Sequence, residues 1–404
     1  MATLEAPTAP QESPRQAVRP NFGQRARKVL IVVHLWTGLG LGLWFALMGV
    51  TGSVVAWRHE ISAFEWRSRF PLKSGLTDAP IIPVSKAVEV ARVSFPDLPS
   101  RALSSIRVPR GDLPVYVFPM GLKGGAFWIA GVDPYTAEPY APQPLPRFVT
   151  WFEDLHTTLL LKDAGNTASG VLALFATFLL VSGLWLWWPR NLKQLKLRLR
   201  VKRGVSLART LGDLHNVMGI YLYPVLLIAT ITTVHLVANN VLERREQAAR
   251  PTAPRGGGER GGRARGPRVI PAGDRLPVDR LVESARRATP GDEPVEVALP
   301  TRPEAALRVM VRQPRGLTRY ANVYVDPYRG NVVQVTRTFN SEGNTPMAEL
   351  SSGLHYGAYA GPFSKAVYTL AGLTPTGLLV TGFLMWLRKK RKPKRAVPRP
   401  SPSV

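Results

Sequence analysis

The sequence predicts an α-helical membrane protein with four main transmembrane helices, an internal duplication, and two α+β domains on its outer face. Three observations lead there. Four uncharged runs, Val29–Trp57, Ala164–Trp188, Leu214–Asn240 and Ala366–Leu387, are each long enough to cross a hydrocarbon core of about 30 Å at about 1.5 Å per residue. The polar segments after the first and third runs repeat each other's motifs. Each half of the chain also carries one histidine near the start of its first run and another just ahead of its second.

Composition narrows the chemistry. The 404 residues include no cysteine, which excludes disulfides, thiolate zinc and iron–sulfur clusters and leaves histidine, present six times, as the strongest transition-metal ligand. The net charge of +26 sits beside the apolar runs and in one Arg/Gly-rich loop. That is the pattern of membrane topology, and no nucleic-acid partner is expected. The sequence shows no Ser/His/Asp triad, paired carboxylates, phosphate-cradling glycine loop or H-E-x-x-H motif. The runs contain no acidic residue, which argues against a transporter relaying metal ions or protons.

In chain order, residues 1–24 are rich in Pro, Ala, Gln and Ser and read as a disordered cytoplasmic terminus. The first span with its flanks covers 25–58. Its apolar run far exceeds a signal-peptide core of about 7–15 residues, so it is expected to be retained. Residues 59–147 form the first outer domain, and 148–189 an interfacial segment with the second span. The loop 190–211 is basic, with Arg190, Lys193, Lys196, Arg198, Arg200, Lys202, Arg203 and Arg209. The third span covers 212–240 and the second outer domain, with an Arg/Gly-rich insertion Arg255–Arg268, covers 241–345. An interfacial segment and the fourth span cover 346–388, and a basic tail covers 389–404. The positive-inside rule puts both termini and the basic loop in the cytoplasm and both long segments outside.

The duplication is legible at residue level. Pro83-Val84-Ser85-Lys86-Ala87-Val88-Glu89-Val90-Ala91-Arg92 aligns with Pro277-Val278-Asp279-Arg280-Leu281-Val282-Glu283-Ser284-Ala285-Arg286 at six of ten positions. Each reads as a short amphipathic helix. Downstream, Trp128–Tyr135 aligns with Ala321–Tyr328, each an alternating strand closed by a Val-Asp-Pro-Tyr turn.

The histidines follow the same repeat. His34 and His215 stand near the starts of spans one and three, while His156 and His355 precede spans two and four. Parallel repeats place equivalent residues at equal depth. His34 then pairs with His215 near the inner surface and His156 with His355 near the outer one. Two such pairs are what an electron path through two haems requires, each pair supplying two axial nitrogens. Gly38 and Gly219, four residues after His34 and His215, share their helix face. They either admit a flat group or simply let helices pack. His59 falls on the same helix face as His34 at the outer end, either as an alternative ligand or as a solvated interfacial residue. His235 points away from His215 and reads as a helix–helix hydrogen-bonding residue, with ligation as the alternative. Tryptophans at the span ends form an interfacial belt. Arg25, Arg27, Lys28 and Arg209 lie where cofactor carboxylates could be paired.

His34-Leu35-Trp36-Thr37-Gly38, Thr51-Gly52, the two Val-Asp-Pro-Tyr turns, Leu155-His156, Ser182–Pro189, Leu214-His215, Leu354-His355 and Thr381-Gly382-Phe383 resemble the PepSY-associated transmembrane proteins, or iron-regulated membrane proteins. That family includes ferric-siderophore reductases of bacterial inner membranes, and the likeness runs from about residue 25 to 390. The resemblance implies two PepSY-like periplasmic domains, an inner-membrane location, bound haem b at His34, His156, His215 and His355, and reduction of a ferric siderophore or other Fe(III) chelate. Catalytic residues are not assigned. Without a nucleotide signature, electrons are expected from a membrane quinol or a cytosolic flavoprotein. The alternative is a membrane-anchored PepSY binding, inhibitory or sensory protein without redox activity.

Overall fold

The structure, a computed structural model, describes residues 22–391 apart from 73–79, 98–102, 125, 190, 250–265, 313–319, 338–345 and 358. The first half runs α1 (Phe22–Val55), α2 (Arg58–Arg69), α3 (Val84–Ser94), β1 (Ser105–Arg107), β2 (Tyr116–Lys123), β3 (Ala126–Val132), β4 (Pro139–Pro144), α4 (Phe148–Thr158) and α5 (Lys162–Trp187). After the short α6 (Leu192–Arg198), the second half runs α7 (Leu207–Tyr221), α8 (Tyr223–Ala249), α9 (Val278–Ala288), β5 (Glu293–Ala298), β6 (Leu307–Arg312), β7 (Tyr320–Val325), β8 (Val332–Arg337), α10 (Pro346–Tyr356) and α11 (Gly361–Arg391). The order of the first half thus recurs in the second, with α7 and α8 together taking the place of α1 and α2.

Four helices among the described residues are long and apolar enough to cross a membrane: Phe22–Val55, Lys162–Trp187, Tyr223–Glu246 and Gly361–Lys390. Leu43, Val50, Leu174, Phe175, Val380 and Phe383 are exposed on them, as side chains facing lipid must be. Small residues line the helix contacts instead. A Cβ on Gly49 of α1 would lie 1.9 Å from the carbonyl oxygen of Gly372 in α11, so these backbones meet only because neither residue has a side chain. Ser53 and Trp57 tie the same crossing by donating to the carbonyl and hydroxyl of Thr369, at 3.1 and 2.9 Å.

The third span differs from its expected single run. It breaks at Leu222, between α7 and α8. Pro224 is the cause: it has no N–H for the i−4 bond and its ring would strike the carbonyl of Ile220, but it is well accommodated in the first turn of a new helix.

The two long segments between spans form one eight-stranded antiparallel sheet in the order β4-β3-β2-β1-β5-β6-β7-β8. Two equivalent four-stranded meanders join where β1 pairs with β5, with Ile106 opposite Val297. One apolar core serves both halves: Ala87, Ala91, Ile106 and Phe118 from the first pack with Leu281, Ala285, Val297 and Val309 from the second. Each large aliphatic or aromatic side chain fully buried there contributes about 1.5–3 kcal/mol. The regions read from sequence as two domains are therefore halves of one sheet. Ser85 and Asp279, equivalent in the repeat, meet across the join, the serine N–H donating to the carboxylate at 3.2 Å.

The repeated turns are equivalent down to their hydrogen bonds. Asp133 accepts from the backbone N–H groups of Tyr135 and Thr136 at 2.8 and 3.1 Å. Asp326 accepts from Tyr328 and Arg329 at 2.8 and 3.2 Å. An aspartate that satisfies two donors of its own turn is the reason the Asp-Pro-Tyr sequence closes a strand.

Candidate functional site

His34 lies on α1 and His215 on α7, both on the bundle side away from the sheet; His156 and His355 lie near the ends of the short helices α4 and α10. Each short helix is followed by a sharp reversal into its span. After α4 the chain passes through positive φ at Leu159 and Leu160, and after α10 at Gly357. Close packing fixes the first reversal, because a Cβ on Gly165 of α5 would lie 1.7 Å from the Thr158 carbonyl oxygen. The result folds His156 back against α1 and His355 against α8.

The structure brings the histidines together in the expected pairs. The rings of His156 and His355 are 6.1 Å apart between centroids, inclined at 38°. Two imidazoles bonded through nitrogen to one metal, with bonds of about 2 Å, stand about 6 Å apart in the same measure. His34 and His215 are near enough that a charge on one is felt at the other.

One hydrogen bond recurs at all four rings. Nδ1 of His34 meets the Ser182 hydroxyl at 2.9 Å, and Nδ1 of His215 meets Thr381 at 3.0 Å. Nδ1 of His156 meets Thr51 and Nδ1 of His355 meets Thr232, both at 3.0 Å. The protein thus occupies Nδ1 in every case, and Nε2 is the nitrogen left that could bind a metal. A glycine follows three of these hydroxyl residues, and the imidazole edge rests on it. A Cβ on Gly52 would lie 2.9 Å from Cε1 of His156, one on Gly183 3.1 Å from Cε1 of His34, and one on Gly382 3.7 Å from Cε1 of His215.

His156 and His355 line a cavity of about 530 Å³, within the roughly 300–1,000 Å³ usual for cofactor pockets. Its lining is apolar in part, with Trp44, Phe45, Ala173 and Leu226, and polar in part, with Arg58, Glu153, Asp154, Asn240 and Glu243. Arg58 lies over the Tyr356 ring at 4.5 Å and 3.7 Å from the Glu153 carboxylate. Trp44 sits on α1 between the levels of His34 and Thr51, stacked on Phe45 at 6.3 Å. Among the described residues no group of three or more His, Asp or Glu could hold a metal ion. Two imidazoles flanking an apolar slot suit a metal that brings its own in-plane donors, as haem does. The residues present fit that group.

Other expectations need correction. Gly38 and Gly219 touch none of the four rings: a Cβ on each would stand 3.7 Å from a leucine of the neighbouring span, Leu179 or Leu378, the contact of helix packing. The glycines that touch the rings come from the partner spans. His59 is no ligand. It lies 3.5 Å from Asp112, in a cluster where Arg110 approaches Asp112 at 2.7 Å and Arg312 at 3.9 Å. Burial alone would raise the Asp112 carboxyl, but the His59 hydrogen bond and the two guanidiniums bring it down to about 2. His235 does not bridge helices by hydrogen bonding, since its Nδ1 is buried without a partner among the described residues. Arg209 is held by Asp213 at 2.9 Å, and Arg27 donates to the Leu186 carbonyl at 3.0 Å, so both have structural roles. The Arg255–Arg268 run lies outside the described residues as far as residue 265.

The four hydroxyl residues were missed as a group by sequence reasoning, although a signal exists. Thr51 and Thr232 each follow a histidine, His34 and His215, by 17 residues; Ser182 and Thr381 each follow one, His156 and His355, by 26. The fold and these paired rings define a multi-pass helical membrane protein of two quasi-equivalent halves, with histidine couples at two depths. The chain belongs to the PepSY-associated TM region family, whose model matches residues 31–389. No curated protein matches it.

Proposed function

We propose that this protein is a dihaem oxidoreductase of the bacterial inner membrane, passing electrons across the bilayer to Fe(III) held by a siderophore or similar chelate on the outer face. The observation that carries the reading is the imidazole couple at 6.1 Å, with each ring held through Nδ1. His34 and His215 would hold one haem b and His156 and His355 the other. Bound there, haem supplies a one-electron iron couple at each of two depths. Trp44, Phe45 and Leu226 give the cavity of the His156 and His355 couple an apolar wall. Arg58, Glu153 and Glu243 also line this cavity, and a water-soluble chelate would meet these polar groups. Hard-oxygen chelators hold Fe(II) far less tightly than Fe(III), so one electron releases the metal.

Lys196, Arg198, Lys202, Arg203 and Arg209 crowd the bundle end opposite the sheet and support a cytoplasmic placement of that end. The sheet, read as a pair of PepSY-like halves, then lies in the periplasm. Electrons enter from a membrane quinol or a cytosolic flavoprotein.

The test is a visible spectrum of the purified protein with a pyridine haemochrome assay scaled to protein concentration. Two haem b per chain are expected, and His34→Ala or His355→Ala should each remove one. A protein that binds no haem, or whose haem survives replacement of all four histidines, overturns the proposal.

A further inference from the structure

We infer that Thr51, Ser182, Thr232 and Thr381 are positioning residues that hold their histidines as the Nδ1–H tautomer and thereby present Nε2 as the donor. The ligating part of this inference rests on the haem reading; the tautomeric part does not.

Proton accounting carries the argument. A hydroxyl has one hydrogen to give. Thr51 gives its hydrogen to the Leu47 carbonyl at 2.8 Å, and Ser182 to Leu179 at 3.0 Å. Thr232 gives its own to Ile228, and Thr381 to Gly377, both at 2.7 Å. With its hydrogen spent on its own helix, each hydroxyl can only accept, so the Nδ1 that meets it must carry the proton.

Orientation follows from the same turn. At three of the four sites the glycine after the hydroxyl residue lets the ring edge rest on the backbone. At the fourth the position is Thr233, which turns its hydroxyl back onto the Ala229 carbonyl at 2.8 Å and lines the outer cavity. An N–H donated to an oxygen on the far side of the ring makes the free nitrogen a more basic ligand and fixes the ring about its own axis. Electron donation of that kind favours the oxidised metal, so the hydroxyls lower the midpoint potential of each couple.

The test uses the full-length protein with Thr51→Val and Thr232→Val, which keep the branched shape and remove the acceptor, alongside Thr51→Ser and Thr232→Ser. Thr177→Val is the control, since Thr177 donates only to the Ala173 carbonyl at 2.8 Å. In haem-free protein with ¹⁵N-labelled histidine, the wild type should show the Nδ1–H tautomer at the four sites, and each valine variant should lose it at one. In haem-loaded protein, each valine variant should release the outer haem about 10–100-fold more readily and raise its midpoint potential. The serine variants and Thr177→Val should behave as wild type. Wild-type tautomers in the valine variants overturn the inference, as does an unchanged potential with haem bound. Absence of haem alongside the expected tautomers would sink the proposed function and leave the positioning role standing.

Discussion

Adding a single methyl group under the three imidazoles that rest on glycine should damage the protein in a fixed order, set by the space found there. At Gly52 an alanine Cβ would lie 2.9 Å from Cε1 of His156, closer than carbon atoms tolerate, so ring or helix must move by about half an ångström. His156 cannot simply turn aside, because Thr51 holds its Nδ1 and Gly165 locks α4 against α5. At Gly183 the gap to His34 is 3.1 Å, which a shift of a few tenths of an ångström relieves, and at Gly382 the 3.7 Å to His215 is ordinary contact. Overpacking of this kind costs about 1–3 kcal/mol, or roughly 5–150-fold in affinity at 1.4 kcal/mol per decade. Gly52→Ala should sit at the upper end, Gly183→Ala near the lower end and Gly382→Ala at wild type. The assay is haem transfer to an excess of an apo-globin, followed separately for each haem. An equal loss in all three variants, or Gly382→Ala as the worst, would refute the steric reasoning.

Further outcomes follow from the fold. Gly49→Ala forces a methyl to 1.9 Å from the Gly372 oxygen; prising α1 from α11 should cost 3 kcal/mol or somewhat more, read as a lower unfolding temperature in detergent. Asp112 is brought from its usual 3.8 down to about 2, so its charge stabilises the fold above about pH 4, and that contribution disappears as pH falls through 2. Asp112→Asn should remove at most about 2 kcal/mol, less for solvent screening, and flatten acid unfolding over that window. His59→Ala should leave both haem bands intact, since His59 faces Asp112 and not the cavity; loss of either band would reinstate it as a ligand. His235→Leu removes a buried, unpartnered Nδ1 and should be neutral or stabilising by about 1 kcal/mol in thermal unfolding.

Much of this was written in the sequence because hydrophobic runs and repeats act locally. The lengths of the four apolar runs dictate spans, since a backbone in lipid must satisfy its own hydrogen bonds as helix. The matched Asp133 and Asp326 turns announced the duplication, because an aspartate bonding its own turn needs no help from elsewhere. The pairing of His156 with His355 followed from the repeat alone, as equivalent residues in parallel halves stand at equal depth.

Tertiary structure decided what depends on neighbours distant along the chain. Whether Gly38 or Gly52 seats a ring is a question of which helix face meets which partner, and 3.7 Å to a leucine against 2.9 Å to His156 answered it. The joining of two outer segments into one sheet through β1 and β5 pairs edges about 190 residues apart, for which no local pattern exists. The tautomer of each imidazole was hidden for the same reason. It is set by a hydroxyl one span away, whose own proton is already committed to a carbonyl in its preceding turn.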